Sequence, residues 1–251
     1  MSPDRGYTPP DSSLAQMLHM HDQLGIERVV LTQPSVYGTD NSAMLEAVAS
    51  MPERARAVVA IDLSVSDRQL ADLEAGGARG VRLNLDNPGG MPISLEEIPR
   101  LAERISTLGW HLEFLFTGPD LAELSGLFRS LPVPVSIGQF GYMPAAQGPR
   151  YPAFRLLLEL VQEGNTWVKL SAPNRLGVGD LPPWDEAVPL AQALVEAAPE
   201  RMLWATDWPH PNKFAAQPND ADLLEQLERW APDPQLRHRI LVENPVALYR
   251  F

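Results

Sequence analysis

Apolar residues along the 251-residue chain alternate between two patterns. Short, almost wholly apolar runs recur at 28–35 (RVVLTQPS), 55–62 (ARAVVAID), 81–85 (VRLNL), 110–116 (WHLEFLF), 133–139 (VPVSIGQ), 166–171 (TWVKLS) and 202–207 (MLWATD). Runs of this length and composition read as strands buried on both faces. Helical periods lie between them. Leu14, Met17, Leu18, His21 and Leu24 share one face at 3.6-residue spacing, as do Leu156, Leu157, Leu160 and Val161. Pro9 and Pro10 precede the first helix, Asp11 or Ser12 is placed to cap its start, and Gly25 suits its end.

Strands alternating with helices over the whole length predict a parallel sheet. The length suits one domain, residues 1–251, and the predicted fold class is α/β, a TIM-barrel-like (β/α)8 barrel. A doubly wound open sheet is the alternative, but its usual G-x-G-x-x-G or P-loop signature is absent. A barrel needs eight strands, and seven runs are present. The chain opens on a loop and a helix, so the barrel is expected to lack its first strand.

Composition narrows the function classes. Hydrophobic residues make up 45% and charged residues 21%, as in ordinary globular proteins. The net charge of −12 leaves no excess of Lys and Arg to neutralise phosphates, which argues against a nucleic-acid partner. The absence of cysteine excludes disulfides, thiolate metal sites and a Cys nucleophile. No apolar run is long enough to cross a bilayer, so no membrane role is expected. The first residues lack the basic and apolar regions of a signal peptide, so a cytoplasmic location is expected.

In a barrel, chemistry gathers where the strands end. Those positions hold Ser35 and Tyr37, Arg82 and Asn84, Glu113, Gln139, Lys169 with Asn174 and Arg175, and Asp207 followed by His210. Arg82 and Asn84 fall on one face of their strand. A buried Arg needs an anion, either a substrate carboxylate or a protein carboxylate on a neighbouring strand. Asp207 closes an apolar run and precedes an abrupt Trp-Pro-His-Pro turn. It could cap that turn, act as a base on water, or hold a metal. Metal binding needs companions, and His19 and His21 do not supply them: two residues apart on a helix, they point about 200° from one another. No G-x-S-x-G elbow is present.

Together, YTPPDSS (7–13), QPSVYGTDNSAML (33–45), GVRLNL (80–85), WVKLS (167–171), LWATDWPHPN (203–212) and ILVENPVALYRF (240–251) resemble the amidohydrolase-related family. The nearest branch is the one containing 2-pyrone-4,6-dicarboxylate lactonase. The resemblance implies a (β/α)8 barrel. It implies that Asp207 is a metal ligand or, in the lactonase branch, the water-activating base. It implies that Arg82 and Arg175 bind substrate carboxylates and that Ser35, Tyr37 and His210 line the pocket. Two departures stand out. The family's first strand, ending in H-x-H, would lie upstream of residue 1. The family's sixth strand ends in Asp-His-x-Gly, where this chain has Gln139.

The expected function is therefore hydrolysis of an ester or lactone of a small carboxylated molecule. Asp207 is the catalytic residue, and Arg82, Arg175, Ser35, Tyr37, Asn84, Gln139 and His210 bind substrate. No cofactor is expected, and a divalent metal such as zinc is disfavoured because Gln is a poor ligand. The alternatives are a metal-dependent amidohydrolase or decarboxylase, if an upstream H-x-H exists, and a catalytically impaired carboxylate-binding relative. An open barrel wall would also expose strand edges, which makes a homodimer possible.

Overall fold

The computed structural model describes every residue except 88, 212, 214 and 215. Residue 212, the last of LWATDWPHPN, therefore lies outside the described residues. The chain divides into two compact units. The first comprises Met1–Leu115, Ser130–Val135 and Leu248–Phe251, and the second Phe116–Arg129 and Ser136–Ala247.

The first unit opens with helix α1 (Leu14–Leu24) and continues β1 (Val29–Thr32), α2 (Ser42–Ala49), β2 (Ala55–Val59), α3 (Asp67–Ala75), β3 (Ala78–Asn84), α4 (Ile98–Ser106) and β4 (His111–Leu115). The cap of α1 is Ser13, one residue beyond the expected pair. Its side chain accepts from the Gln16 backbone, and Gln16 reaches back to the Ser13 backbone. Gly25 ends the helix at φ 69°, as its sequence position implied. His21 is buried and His19 exposed, so the two histidines do not converge.

Strands β1 to β4 pair in parallel and in chain order. Ala57, Val58, Val59, Val81, Leu83, Leu112 and Phe114 are sealed from solvent, together with Ile98, Leu101, Ala102 and Ile105 of α4. The apolar residues of β2, β3 and β4 and the one-sided α4 thus contribute to this unit's core. The β3–β4 register sets Gly80 beside His111 and Arg82 beside Glu113. A Cβ on Gly80 would lie 2.4 Å from the His111 ring, so glycine is required there. His111 also meets Tyr249 edge-on, with ring centroids 5.2 Å apart, a packing role at the start of its strand.

In chain order the second unit contributes α5 (Leu121–Ser130), β5 (Val135–Ile137), α6 (Pro152–Gln162), β6 (Thr166–Leu170), α7 (Val188–Ala197) and β7 (Met202–Trp204), then α8 (Asp220–Trp230), α9 (Pro234–His238) and α10 (Asn244–Tyr249). Residues at the ends of α5, β5 and α10 fall in the first unit. Strands β6 and β7 are parallel, with Val168 opposite Met202 and Lys169 opposite Leu203. The core face of α6 is Phe154, Leu157, Leu160 and Val161, with Leu156 at its margin.

All seven sequence-predicted strands form. The two in front of the densest polar clusters are short: β5 and β7 have three residues each. No described helix is long and apolar enough to cross a membrane.

Candidate active site

Strand β7 stops at Trp204, so Asp207 lies three residues beyond the strand, inside the turn. Its backbone is left-handed, at φ 67°, as is that of His210 at 57°. The His210 amide donates to the Asp207 carbonyl at 2.7 Å, and the Trp208 amide donates to the Thr206 hydroxyl at 3.0 Å. The turn is thus held by its own backbone and presents the Asp207 carboxylate at a fixed place.

Two partners hold that carboxylate. Arg175 Nε donates to Asp207 Oδ2 at 2.8 Å, and Gln139 Nε2 donates to Asp207 Oδ1 at 2.5 Å. Arg175 also donates through Nη2 to the Pro211 carbonyl, so one guanidinium braces both the carboxylate and the turn. The side chains of Arg175 and Asp207 are each only 12% exposed, which limits solvent screening of the pair. Arg175 sits on a short 3-10 turn, Pro173–Arg175, just after β6. Gln139 opens the turn Gln139–Tyr142 just after β5. Three successive strand ends therefore converge on one carboxylate.

The backbone around these side chains is unusual. Gln139, Phe140, Tyr142, Ala172, Asp207 and His210 all have φ between 49° and 67°. Each non-glycine residue in this region costs of order 1–3 kcal/mol, and such strain clusters at functional sites. Unpartnered polar atoms mark the same segments. Among the described residues, Gln139 Oε1, both amide atoms of Asn174, Ser136 Oγ and His210 Nδ1 are buried without a hydrogen bond. A buried polar atom left so costs roughly 1–3 kcal/mol, which a bound water or ligand would relieve. His210 places Nε2 3.1 Å from Asp220 Oδ1. A carboxylate accepts, so the neutral ring carries its proton on Nε2 and offers Nδ1 as an acceptor.

The remaining candidates lie in the first unit. Ser35 and half-buried Tyr37 form a 3-10 turn after β1. Two amides in the QPSVYGTDN motif lock that loop. Gln33 Nε2 donates to the carbonyls of Gly38 (3.1 Å) and Asp40 (2.8 Å). Asn41 Nδ2 donates to the Ala60 carbonyl (2.8 Å), while Asn41 Oδ1 accepts from the Ala60 amide (2.9 Å). Asn84 Oδ1 accepts from the Asp86 and Asn87 amides, each at 3.0 Å, and so shapes the loop after β3. Arg82 Nη1 lies 3.7 Å from Glu113 Oε1, the residue opposite it in the ladder. Its Nε is buried and unpartnered among the described residues. That loose pair leaves the guanidinium able to take up a further anion.

Sequence reasoning left Asp220 and the loop-bracing roles of Gln33 and Asn41 unassigned. It noted Asn174 without a role. Asp220 could be read only as a residue at a helix start, because its contact with His210 arises from the turn. The metal expected in part of the resembled family does not suit the donors present. Asp207 faces an amide N–H and a guanidinium, and the latter repels a cation. No group of three His, Asp or Glu converges among the described residues.

The arrangement is a fixed carboxylate with an oriented amide and a cation beside it, which can accept a proton from a bound water. Comparisons with known proteins find relatives named as hydrolases and one named as an isomerase. A family model described as Amidohydrolase matches residues 1–251. A 2-pyrone-4,6-dicarboxylate hydrolase of Comamonas testosteroni is 38% identical over 256 residues, covering 99% of this chain and 84% of that protein. A D-galactarolactone isomerase of Agrobacterium fabrum is 37% identical over 232 residues, covering 90% of this chain and 77% of that protein. The crystal structure of ATU3138 from Agrobacterium tumefaciens superposes with a TM-score of 0.89 at 31% identity, covering 100% of this chain and 90% of that one.

Proposed function

The chain belongs to the amidohydrolase family, as a hydrolase of its lactonase branch, and from that premise we propose that it opens the ring ester of a small carboxylated lactone with Asp207 as the base. The observation that carries this reading is the placement of Asp207. It stands in a left-handed turn beyond the last strand, clamped between Arg175 and Gln139. A carboxylate so fixed needs no reorganisation to accept a proton.

In the proposed reaction, Asp207 takes a proton from water as the water oxygen bonds to the lactone carbonyl carbon. The ring C–O bond then breaks, and the same proton goes to the departing oxygen. The product is a ring-opened acid bearing the freed hydroxyl or enol. Arg175 keeps Asp207 in place. The resemblance to the lactonase branch assigns Arg82 to a substrate carboxylate, and its own surroundings suit an anion: the Glu113 pair is long and Nε has no partner among the described residues. The step runs without a metal, because the groups around Asp207 are hydrogen-bond donors rather than ligands.

The test is incubation of the purified protein with 2-pyrone-4,6-dicarboxylate and with simple carboxylated γ- and δ-lactones, with products identified by NMR. Ring-opened acids are expected, at rates unchanged by prior dialysis against a chelator. Activity lost to the chelator and restored by zinc would contradict the metal-free step. Lactone isomerisation is the second reading, favoured by the isomerase relative. An isomeric lactone in place of an open acid would select it.

A further inference from the structure

We infer that Gln139 is a water-positioning residue: its side-chain oxygen and the Asp207 carboxylate together hold the attacking water. This inference rests on the lactonase reading above and assigns a specific task within it. An ionised carboxylate only accepts hydrogen bonds, so the Gln139 atom facing Asp207 Oδ1 at 2.5 Å must be Nε2. The other amide atom, Oε1, is then fixed beside the carboxylate as a pure acceptor. It is buried and has no partner among the described residues. Gln139 as a whole is only 9% exposed.

A buried acceptor next to a mostly buried carboxylate calls for a molecule with two donors. Water is the smallest such molecule. One O–H directed to Oε1 and the other to Asp207 leaves a water lone pair free to attack a carbonyl carbon. In the reaction the proton shared with Asp207 is transferred, while the proton on Oε1 stays with the new carboxyl oxygen. Gln139 exchanges no proton and acts by aim alone.

The backbone supports this reading. Gln139 is held at φ 50° and followed by Phe140 at 56° and Gly141 at 64°, a run of left-handed residues that turns the side chain back toward Asp207. Phe140 anchors the run by packing edge-on against Trp230, with ring centroids 5.4 Å apart. A strained turn nailed down by an aromatic pair keeps one amide in one place.

The test has a structural and a kinetic arm. In a crystal structure of the wild-type protein at about 1.5 Å, an ordered water should lie roughly 2.6–3.2 Å from both Gln139 Oε1 and an Asp207 carboxylate oxygen. An empty position, or a protein donor on Oε1, would overturn the inference. In the kinetic arm, Gln139→Met keeps side-chain length and removes both amide atoms, the acceptor and the Nε2 donor to Asp207, so the crystallographic arm assigns the loss to the water. With 2-pyrone-4,6-dicarboxylate as probe, kcat should fall about 100-fold while KM and the affinity for the ring-opened product stay unchanged. A wild-type kcat, or a loss confined to KM, would overturn it. Asp207→Asn separates the two readings. If that variant still opens the ring, the lactonase mechanism fails whatever Gln139 does. If it is inactive and Gln139→Met is not impaired, the water-positioning role alone fails. Should the wild-type protein not open this lactone, the substrate reading fails and the crystallographic water still decides the role of Gln139.

Discussion

The strand-end amide side chains of the two compact units are of the same residue types and are finished in opposite ways. In the first unit, the amides of Gln33, Asn41 and Asn84 bond to nearby backbone and lock their loops. In the second, Gln139 leaves its oxygen and Asn174 leaves its whole amide unpartnered among the described residues. Backbone conformation divides the same way. Among the described residues, seven left-handed non-glycine residues lie in the second unit, six of them in the turns after β5, β6 and β7. Among the described residues the first unit has only Arg250, next to the chain end. The contrast separates residues that finish a fold from residues held ready for something else. Polar groups with complete hydrogen bonds on relaxed backbone stabilise. Unsatisfied groups on strained backbone cost stability and mark the place where a ligand or water completes the set.

Perturbing each side should break this contrast differently. Beyond Asp207 itself, the largest expected effect belongs to Arg175. Arg175→Ala removes the cation from a mostly buried pair and one brace of the turn, at a cost of about 3 kcal/mol or more. Thermal unfolding should show the loss of stability, and kcat should fall at least tenfold as Asp207 loses its fixed position. Next is Arg82→Ala, which should raise KM for a carboxylated lactone about 10- to 100-fold with little change in kcat, as expected for a charge-assisted anchor. A change confined to stability would make Arg82 a purely structural partner of Glu113. Asn41→Ala should lower stability by about 2 kcal/mol by leaving the Ala60 amide and carbonyl unpaired. That corresponds to a fall in Tm of roughly 4–8 °C, with kcat below the transition unchanged.

The smallest effect is one of pH. Hydrogen bonds from Ser42 to Asp40, first from its hydroxyl and then from its backbone, hold Asp40 below the ordinary carboxylate range. Bonds from Ser94 to Glu97, backbone first, do the same for Glu97. In both cases the unfolded chain binds the proton more readily, so the stabilisation is complete above the unfolded values of 3.8 and 4.5 and fades as pH falls below them. Both groups are exposed, so the effect is slight. Glu97→Gln should flatten the fall of Tm between pH 5 and 3 if the account is right.

Much of the fold was legible in the chain because apolar strands and amphipathic helices announce themselves locally. All seven strands and the faces of α1 and α6 follow from residue spacing. The exact strand ends did not follow, because composition does not show where backbone turns left-handed. MLWATD reads as one apolar run, yet the strand stops at Trp204 and Asp207 belongs to the turn. The cap of α1 lies one residue beyond the expected pair because Asp11, Ser12 and Ser13 offer similar oxygens, and only Ser13 has Gln16 three residues on. At the site, Asp207, Arg175 and Gln139 were each legible as polar residues at strand ends. Their mutual contacts were not, since Gln139 and Asp207 lie 68 positions apart in the chain. The Arg82–Glu113 pair depended on a ladder register that neither strand fixes alone.

The most direct test of the central claim is Asp207→Asn, measured for binding and for turnover together. The variant leaves Arg175 without its carboxylate partner, so its Tm should fall, but below its transition it should still bind 2-pyrone-4,6-dicarboxylate in isothermal titration. Ring opening, followed by loss of the pyrone absorbance, should fall at least 1,000-fold, because the amide cannot take the water's proton. Ring opening at the wild-type rate by Asp207→Asn would contradict the account.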